Sequence, residues 1–197
     1  MKKIYQHSDE IGLDEAGRGP LIGRVYAAAV IFGDVDENIE INDSKKLTPK
    51  KREKLLKWIQ ENVQEYAVGF AESHEIDNIN ILEATKLAMT RAIEQLKTKS
   101  KNLIIDGTGW EKKFIDYNVT SIVKGDSKYY SIAAASILAK EYHDNYIKTL
   151  CQEHPELHEK YNLLNNMGYG TKKHLEGIKQ HGYSDFHRKS FKIKNLE

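Results

Sequence analysis

Apolar residues fall in two rhythms along this chain, and the rhythm predicts the elements. Residues 11–13 form a short apolar run that ends at Asp14 and Glu15, before Gly17 and Gly19 interrupt it. Residues 25–32 are apolar on both faces, as in a buried strand, and stop at Gly33. The two runs lie close together, which predicts a strand–loop–strand opening. Residues 39–41 predict a short third strand. Thr48-Pro49 predicts a helix start, with a hydroxyl cap and proline at the first position. Leu55, Leu56, Ile59 and Val63 then share one helical face.

The pattern repeats further on. Residues 66–70 read as a strand. Ser73 is placed to cap a helix whose stripe is Leu82, Met89, Ile93 and Leu96. Residues 103–105 and 119–123 read as short strands, the first ending at Asp106-Gly107 and the second at Gly125-Asp126. Residues 132–150 predict a helix that begins on an alanine-rich face suited to lying close on a sheet. Strands interleaved with helices predict an α/β fold, a mixed β-sheet with helices on both faces. From Pro155 onward the chain reads as helical and less apolar. Residues 1–154 are therefore expected to form the core and residues 155–197 a helical lobe packed on it, within one compact domain.

Bulk numbers narrow the class. The chain has 197 residues, enough for one self-sufficient core, with 40% hydrophobic and 30% charged residues. Net charge is only +1, but it is unevenly spread. Lys45, Lys46, Lys50, Lys51, Arg52, Lys54 and Lys57 face a lone Glu53 in one stretch. Lys172, Lys173, Lys179, Arg188, Lys189, Lys192 and Lys194 face only Glu176 and Asp185 in another. Two basic stretches in a neutral chain are either solvated faces or a sign that charge is separated for an anionic partner. Cys151 is the single cysteine, so no intramolecular disulfide forms. The first ten residues lack an apolar leader, and no run approaches a membrane span. A cytoplasmic monomer is expected, away from membranes.

Asp14, Glu15, Asp106 and Asp126 share an address: each follows an apolar run read as a strand, with glycine nearby. Ligands of open α/β sheets bind outside the carboxyl ends of strands. Neighbouring strands would bring these acids together, where like charges repel and burial disfavours ionisation. Divalent cations remove both problems, and oxygen-only ligands suit Mg2+ or Mn2+. Two such ions can clamp the attacking and leaving oxygens of a phosphodiester displacement. Any one of these acids could equally form a turn or cap a helix. Asp14 and Glu15 also pose a geometric condition: adjacent strand residues point to opposite faces, so a common site requires the strand to end or bulge there.

The segment Asp14-Glu15-Ala16-Gly17-Arg18-Gly19-Pro20-Leu21 resembles the signature opening of ribonuclease HII. Further blocks agree in order and spacing: Asp43-Ser44-Lys45-Lys46-Leu47, the stretches 124–128 and 133–140, Gly168-Tyr169-Gly170-Thr171-Lys172-Lys173-His174, and a closing His187-Arg188-Lys189-Ser190-Phe191. The blocks span nearly the whole chain. The resemblance implies a ribonuclease H-like fold with a C-terminal helical lobe, and it implies that Asp14, Glu15, Asp106 and Asp126 hold the metal ions. It further implies that Gly17, Arg18 and Gly19 contact the 2′-hydroxyl side of the scissile step and that Tyr169 stacks at the ribose–deoxyribose junction. The 2′-hydroxyl is what separates RNA from DNA, and backbone groups reach it only where side chains are absent. Ser44, Lys45 and Lys46 are then phosphate contacts that position the duplex without reading bases.

The segments Gly107-Thr108-Gly109-Trp110, Tyr129-Tyr130 and 161–166 depart from the family's usual pattern. The extra N-terminal domain usual in ribonuclease HIII has no room before Ile11. The implied activity is cleavage of RNA–DNA hybrids and of DNA duplex with embedded ribonucleotides, cut 5′ of the ribonucleotide to leave 3′-hydroxyl and 5′-phosphate ends. Two alternatives use part of the same sequence features. A DNA-directed nuclease of the integrase or junction-resolvase kind would share the acids without reading ribose. A non-catalytic binder would use the basic stretches alone. A cysteine or histidine hydrolase is less attractive, because Cys151 and His154 sit toward the end of a predicted helix and no histidine pairs with cysteine at zinc-site spacing.

Overall fold

The computed structural model describes residues 1–2, 4–35, 41 and 47–193. Strand β1 (Ile11–Ala16) pairs antiparallel with β2 (Val25–Ile31), which pairs antiparallel with β3 (Glu65–Ala71). On its other side β1 runs parallel to β4 (Asn102–Asp106), and β4 parallel to β5 (Asn118–Ile122). The five-stranded mixed sheet thus has the order β3-β2-β1-β4-β5. The strand–loop–strand opening is as the apolar spacing predicts. The third strand expected at residues 39–41 lies mostly outside the described residues, and Ile41 is buried without joining a strand.

Alternation along the strands sorts the core into two layers. Ile11, Leu13, Ala27, Ala29, Leu103 and Ile105 face α2 (Ser73–Gln95), meeting Ala84, Ala88, Met89 and Ala92. Ala28, Val30 and Phe32 face the opposite way, toward the alanine-rich start of α3 (Tyr130–Glu153) and Ile59 of α1 (Pro49–Asn62). Two glycines let the helices lie this close. A Cβ on Gly12 of β1 would sit 2.5 Å from the Ser131 Cβ of α3, and one on Gly69 of β3 would sit 2.7 Å from the Ala92 amide of α2.

Helix α2 departs from its sequence reading in two ways. Glu72, not Ser73, holds the cap position, and its amide donates to Glu75 Oε2 at 2.9 Å. The helix also breaks at Asn80, which has φ 71°, and the Asn80 side-chain oxygen then accepts from the Leu82 and Glu83 amides as a second N-cap. This restart rotates the stripe, leaving Leu82 37% exposed while Met89, Ile93 and Leu96 are buried.

Beyond α3 the chain forms α4 (Pro155–Tyr161), α5 (Leu163–Asn166) and α6 (Lys172–His181). Leu157, Tyr161, Leu163 and Ile178 pack with Ile147, Leu150 and Cys151 of α3 and with Ile22 from the β1–β2 connection. The C-terminal helices therefore share a core with the far end of α3 and with the loop that follows β1. Among the described residues no helix is long and apolar enough to cross a membrane.

Candidate active site

The parallel register of β1 and β4 brings the first two acids together. The ladder pairs Gly12 with Ile104 and Leu13 with Ile105, so one further residue on each strand sets Asp14 beside Asp106. Both lie one residue past the last β1–β4 rung on the α3 face, where Ser136 of α3 hydrogen-bonds the Asp14 carboxylate. The Glu15 amide donates to Asp14 Oδ1 at 2.7 Å. Asp106 Oδ1 accepts from the Gly125 amide at 2.7 Å, which ties the tight turn 125–127 to the end of β4. Asp126 is buried in that turn. Burial, then the negative charges of Glu15 and Asp106, raise the Asp14 carboxyl well above the usual carboxylate range.

Glu15 behaves differently from the condition set by the sequence. Strand β1 neither ends nor bulges at the acid pair but continues in regular register with β2, pairing Glu15 with Ala27 and Ala16 with Tyr26. The pleat therefore starts Glu15 on the opposite face from Asp14, yet its charge opposes Asp14 ionisation more than that of Asp106 does, so its longer side chain keeps the carboxylate near the shared edge. Its Oε1 meets Arg18 Nη1 at 3.1 Å, while its charge still acts on Asp14. Among the described residues no group of three acidic, histidine or cysteine side chains stands at ion-holding geometry. As they stand, the acids are held by protein donors: Asp106 by the Gly125 amide and Glu15 by Arg18. The donor set nevertheless fits a hard divalent cation. A buried carboxyl whose ionisation is opposed by two neighbouring carboxylates is the electrostatic situation that a bound cation relieves.

The glycine loop begins one residue past β1. Gly17 has φ 88°, and a Cβ there would lie 2.5 Å from His143 Cδ2 and 3.0 Å from the Arg24 carbonyl, so neither its conformation nor its space admits a side chain. A Cβ on Gly19 would lie 3.1 Å from Tyr169 Cε1. The loop and the tyrosine are thus neighbours, although 150 residues of chain separate them. The Leu21 amide donates to the Gly168 carbonyl at 2.8 Å and stitches the two blocks together. Tyr169 remains 42% exposed, with the Lys140 ammonium 5.9 Å from its ring centre. Arg18 is also exposed. Ser44, Lys45 and Lys46, expected as phosphate contacts, lie outside the described residues.

Several supporting residues were not legible as such in the sequence. Arg188 is 1% exposed and spends its guanidinium on the backbone of the glycine loop. His174 and His187 form a buried pair, Nε2 to Nε2 at 3.0 Å, beneath the Gly-Tyr-Gly block, where His174 Nδ1 lies 3.0 Å from the Tyr169 carbonyl. Burial and then the neighbouring His174 push His187 down to about 3. Asn166 shapes the same block, accepting from the Gly168 amide and donating to the Tyr161 carbonyl, each at 2.8 Å. His143 packs its ring under Gly17 and is anchored by Asp144, with Nδ1 and Oδ1 3.1 Å apart. Two residues of the segments that depart from the family pattern have clear partners: Trp110 Nε1 donates to the Asp106 carbonyl at 3.0 Å, and Tyr130 stacks on Phe32 with ring centres 5.1 Å apart. The closing block around Arg188 was the one available signal, but nothing local in it says that its arginine is buried.

The comparisons with known proteins agree with this architecture. The family model described as ribonuclease HII matches residues 11–194. Ribonuclease HII of Parabacteroides distasonis is 50% identical over 184 residues, covering 93% of this chain and 90% of that protein. The crystal structure of ribonuclease H2 from Pyrococcus horikoshii superposes with a TM-score of 0.71 at 30% identity, covering 92% of this chain and 93% of that one. The structure of RNase HII from Archaeoglobus fulgidus, solved in a complex with PCNA, shares the fold with a TM-score of 0.76 at 24% identity, over 95% of this chain and 97% of that one. The family match takes in the strands that carry the acids, the glycine loop and the Arg188 block, and the chain belongs to the ribonuclease HII family, metal-dependent endonucleases of the ribonuclease H type that act on RNA–DNA hybrids.

Proposed function

We propose that this protein cuts the RNA strand of RNA–DNA hybrids and also cuts DNA duplex on the 5′ side of single embedded ribonucleotides, leaving 3′-hydroxyl and 5′-phosphate ends. The observation that carries the reading is the crowding of carboxylates on Asp14, with Asp106 beside it and Glu15 next in the chain. In this reading Asp14, Glu15, Asp106 and Asp126 hold two divalent ions, Mg2+ or Mn2+. When bound, such ions supply an activated water and neutralise charge on the departing oxygen.

The protein's own residues do the rest. Asp14, backed by Ser136 and the Glu15 amide, keeps one carboxylate fixed at the sheet edge. Asp106, tied to Gly125, keeps the Asp126 turn against β4. Gly17, Arg18 and Gly19 present backbone to the 2′-hydroxyl, and Tyr169 offers its exposed ring to the sugar that follows. Contact between Gly19 and the Tyr169 ring supports a single reader of the ribose–deoxyribose step. Ser44, Lys45 and Lys46 would grip phosphates, and residues 155–197 would serve as the lobe that completes the duplex groove. The protein would act as a cytoplasmic monomer in removing ribonucleotides from DNA.

A cleavage assay tests this directly. Duplex DNA with one ribonucleotide should be cut 5′ of it in Mg2+ or Mn2+, and all-DNA duplex should be untouched. Cleavage of all-DNA duplex at a comparable rate would reject the reading in favour of a DNA-directed nuclease.

A further inference from the structure

The loop between β1 and β2 has little regular pairing: apart from amide bonds of Leu21 to Gly168 and Gly23 to Phe186, each at 2.8 Å, its backbone is held by side chains. Gly17 and Gly23 both take positive φ, and only Ile22, bridged to His187, makes a ladder contact between Ala16 and Val25. Its shape comes instead from a residue at the other end of the chain. Arg188 Nε donates to the Gly23 carbonyl at 2.9 Å. Nη1 donates to the carbonyls of Arg18 at 3.0 Å and Pro20 at 2.7 Å. Nη2 donates to those of Gly17 at 2.6 Å and Arg24 at 2.9 Å. A guanidinium has five N–H donors in a rigid plane, and each of the five finds one carbonyl here. The Arg188 amide adds a sixth bond, to the Leu21 carbonyl at 2.8 Å.

We propose that Arg188 is a positioning residue for ribose recognition: its guanidinium gathers the carbonyls of residues 17–24 inward and so sets the backbone of Gly17, Arg18 and Gly19 for the substrate. This rests on the reading of that loop given above. Without the cation, five carbonyl dipoles would converge in a desolvated pocket, an arrangement that burial of unpaired polar groups opposes. The amides of Arg18 and Gly19 and the carbonyl of Gly19 take no part in the bonds to Arg188, so the clamp leaves them for a ligand. Among the described residues no carboxylate lies at ion-pair distance from Arg188, so the carbonyls of the loop serve as its counter-dipoles. Lysine keeps the charge but offers three donors from a point and cannot span the set.

The test compares Arg188→Lys with Met89→Ala, a cavity variant of the α2 layer that destabilises without touching the loop. Both are assayed well below their melting temperatures. On duplex with one ribonucleotide, Arg188→Lys should lose about 100-fold in kcat/KM, the scale of a misplaced positioning group. Its Kd for all-DNA duplex should stay within about twofold, because phosphate contacts are made elsewhere. Met89→Ala should keep kcat/KM within about threefold. If Arg188→Lys retains kcat/KM as Met89→Ala does, or loses all-DNA binding in parallel with cleavage, the proposal is overturned. If Arg188→Lys does not fold, NMR relaxation on the wild-type protein decides. Order parameters near about 0.85 for the Arg18 and Gly19 amides support the clamp, and values under about 0.6 overturn it. Failure of the wild type to cut a ribonucleotide-bearing duplex would instead strike the reading of the loop, and the relaxation measurement would still stand.

Discussion

The two halves of the site leave the end of β1 in succession, yet they are built by opposite means. The carboxylates are placed by sheet register: Asp14 and Asp106 extend the same parallel ladder, and Gly125 hangs the Asp126 turn from Asp106. The glycine loop is placed by a side chain 164 to 171 residues away, through donors rather than a ladder. Register is a repeating constraint, so the two strand-borne acids share their placement with a whole ladder. The loop takes most of its inward bonds from one guanidinium, with the space under one glycine and the Leu21 and Gly23 amide bonds to Gly168 and Phe186 holding the rest. The acidic half is strained by like charge and the loop half by buried polarity, so substitutions should separate them.

The largest effect should come from the acidic half. Asp14→Asn should reduce turnover by about a thousand-fold, at least the scale of removing one well-placed electrostatic group. It should not unfold the protein. Because Asp14 has a raised folded-state pKa, its contribution is favourable below the unfolded carboxylate pKa and is lost as pH rises through the folded value. In chelator at neutral pH the variant should therefore gain about 3 °C in Tm, the response to ~1 kcal/mol at this length, and little at acid pH. A lower Tm at neutral pH would mean that like charge does not strain this edge.

Gly17→Ala should show how far the loop depends on one position. A left-handed φ and a clash with His143 and the Arg24 carbonyl should together cost about 2–4 kcal/mol. Gly109→Ala, at φ 80° with nothing within 4 Å of its Cβ, should cost only about 1 kcal/mol. Equal melting temperatures for the two would mean that the loop yields. A pH series sharpens the same contrast. His187 is held at about 3 against an ordinary 6.5, and burial lowers His174 and His143 as well. For a depressed histidine the unfolded chain takes the proton first, so stability is full above pH 6.5 and falls as pH drops toward 3. The expected loss is about 1.4 kcal/mol per histidine per pH unit, and His187→Gln should flatten the melting curve's pH slope. The smallest effect on the fold should come from Tyr169→Ala, under about 0.5 kcal/mol for an exposed ring, with cleavage at a ribonucleotide down about 10-fold.

Much of the acidic half was legible along the chain. Asp14, Asp106 and Asp126 each end an apolar run, and an apolar run followed by glycine marks where a strand stops. What could not be read was the side to which Glu15 turns, because that depends on whether β1 continues along β2, a pairing made with residues ten or more positions away. The restart of α2 at Asn80 escaped for a similar reason: asparagine is common within helices, and only its observed φ marks it as a second cap. Gly17, Gly19 and Tyr169 were legible through family resemblance, whereas their mutual contact was not.

By itself, then, the sequence determined the alternation of strands and helices, the strand ends at which acids stand and the glycines of the loop. These are local properties, written in hydrophobic period and residue type. Only the tertiary structure decided that Arg188 is buried, that two histidines share a hydrogen bond and that Gly19 meets Tyr169. Those facts come from elements far apart in the chain. An arginine or histidine carries the same local signature whether it faces water or a ring of carbonyls, and only packing tells the two apart.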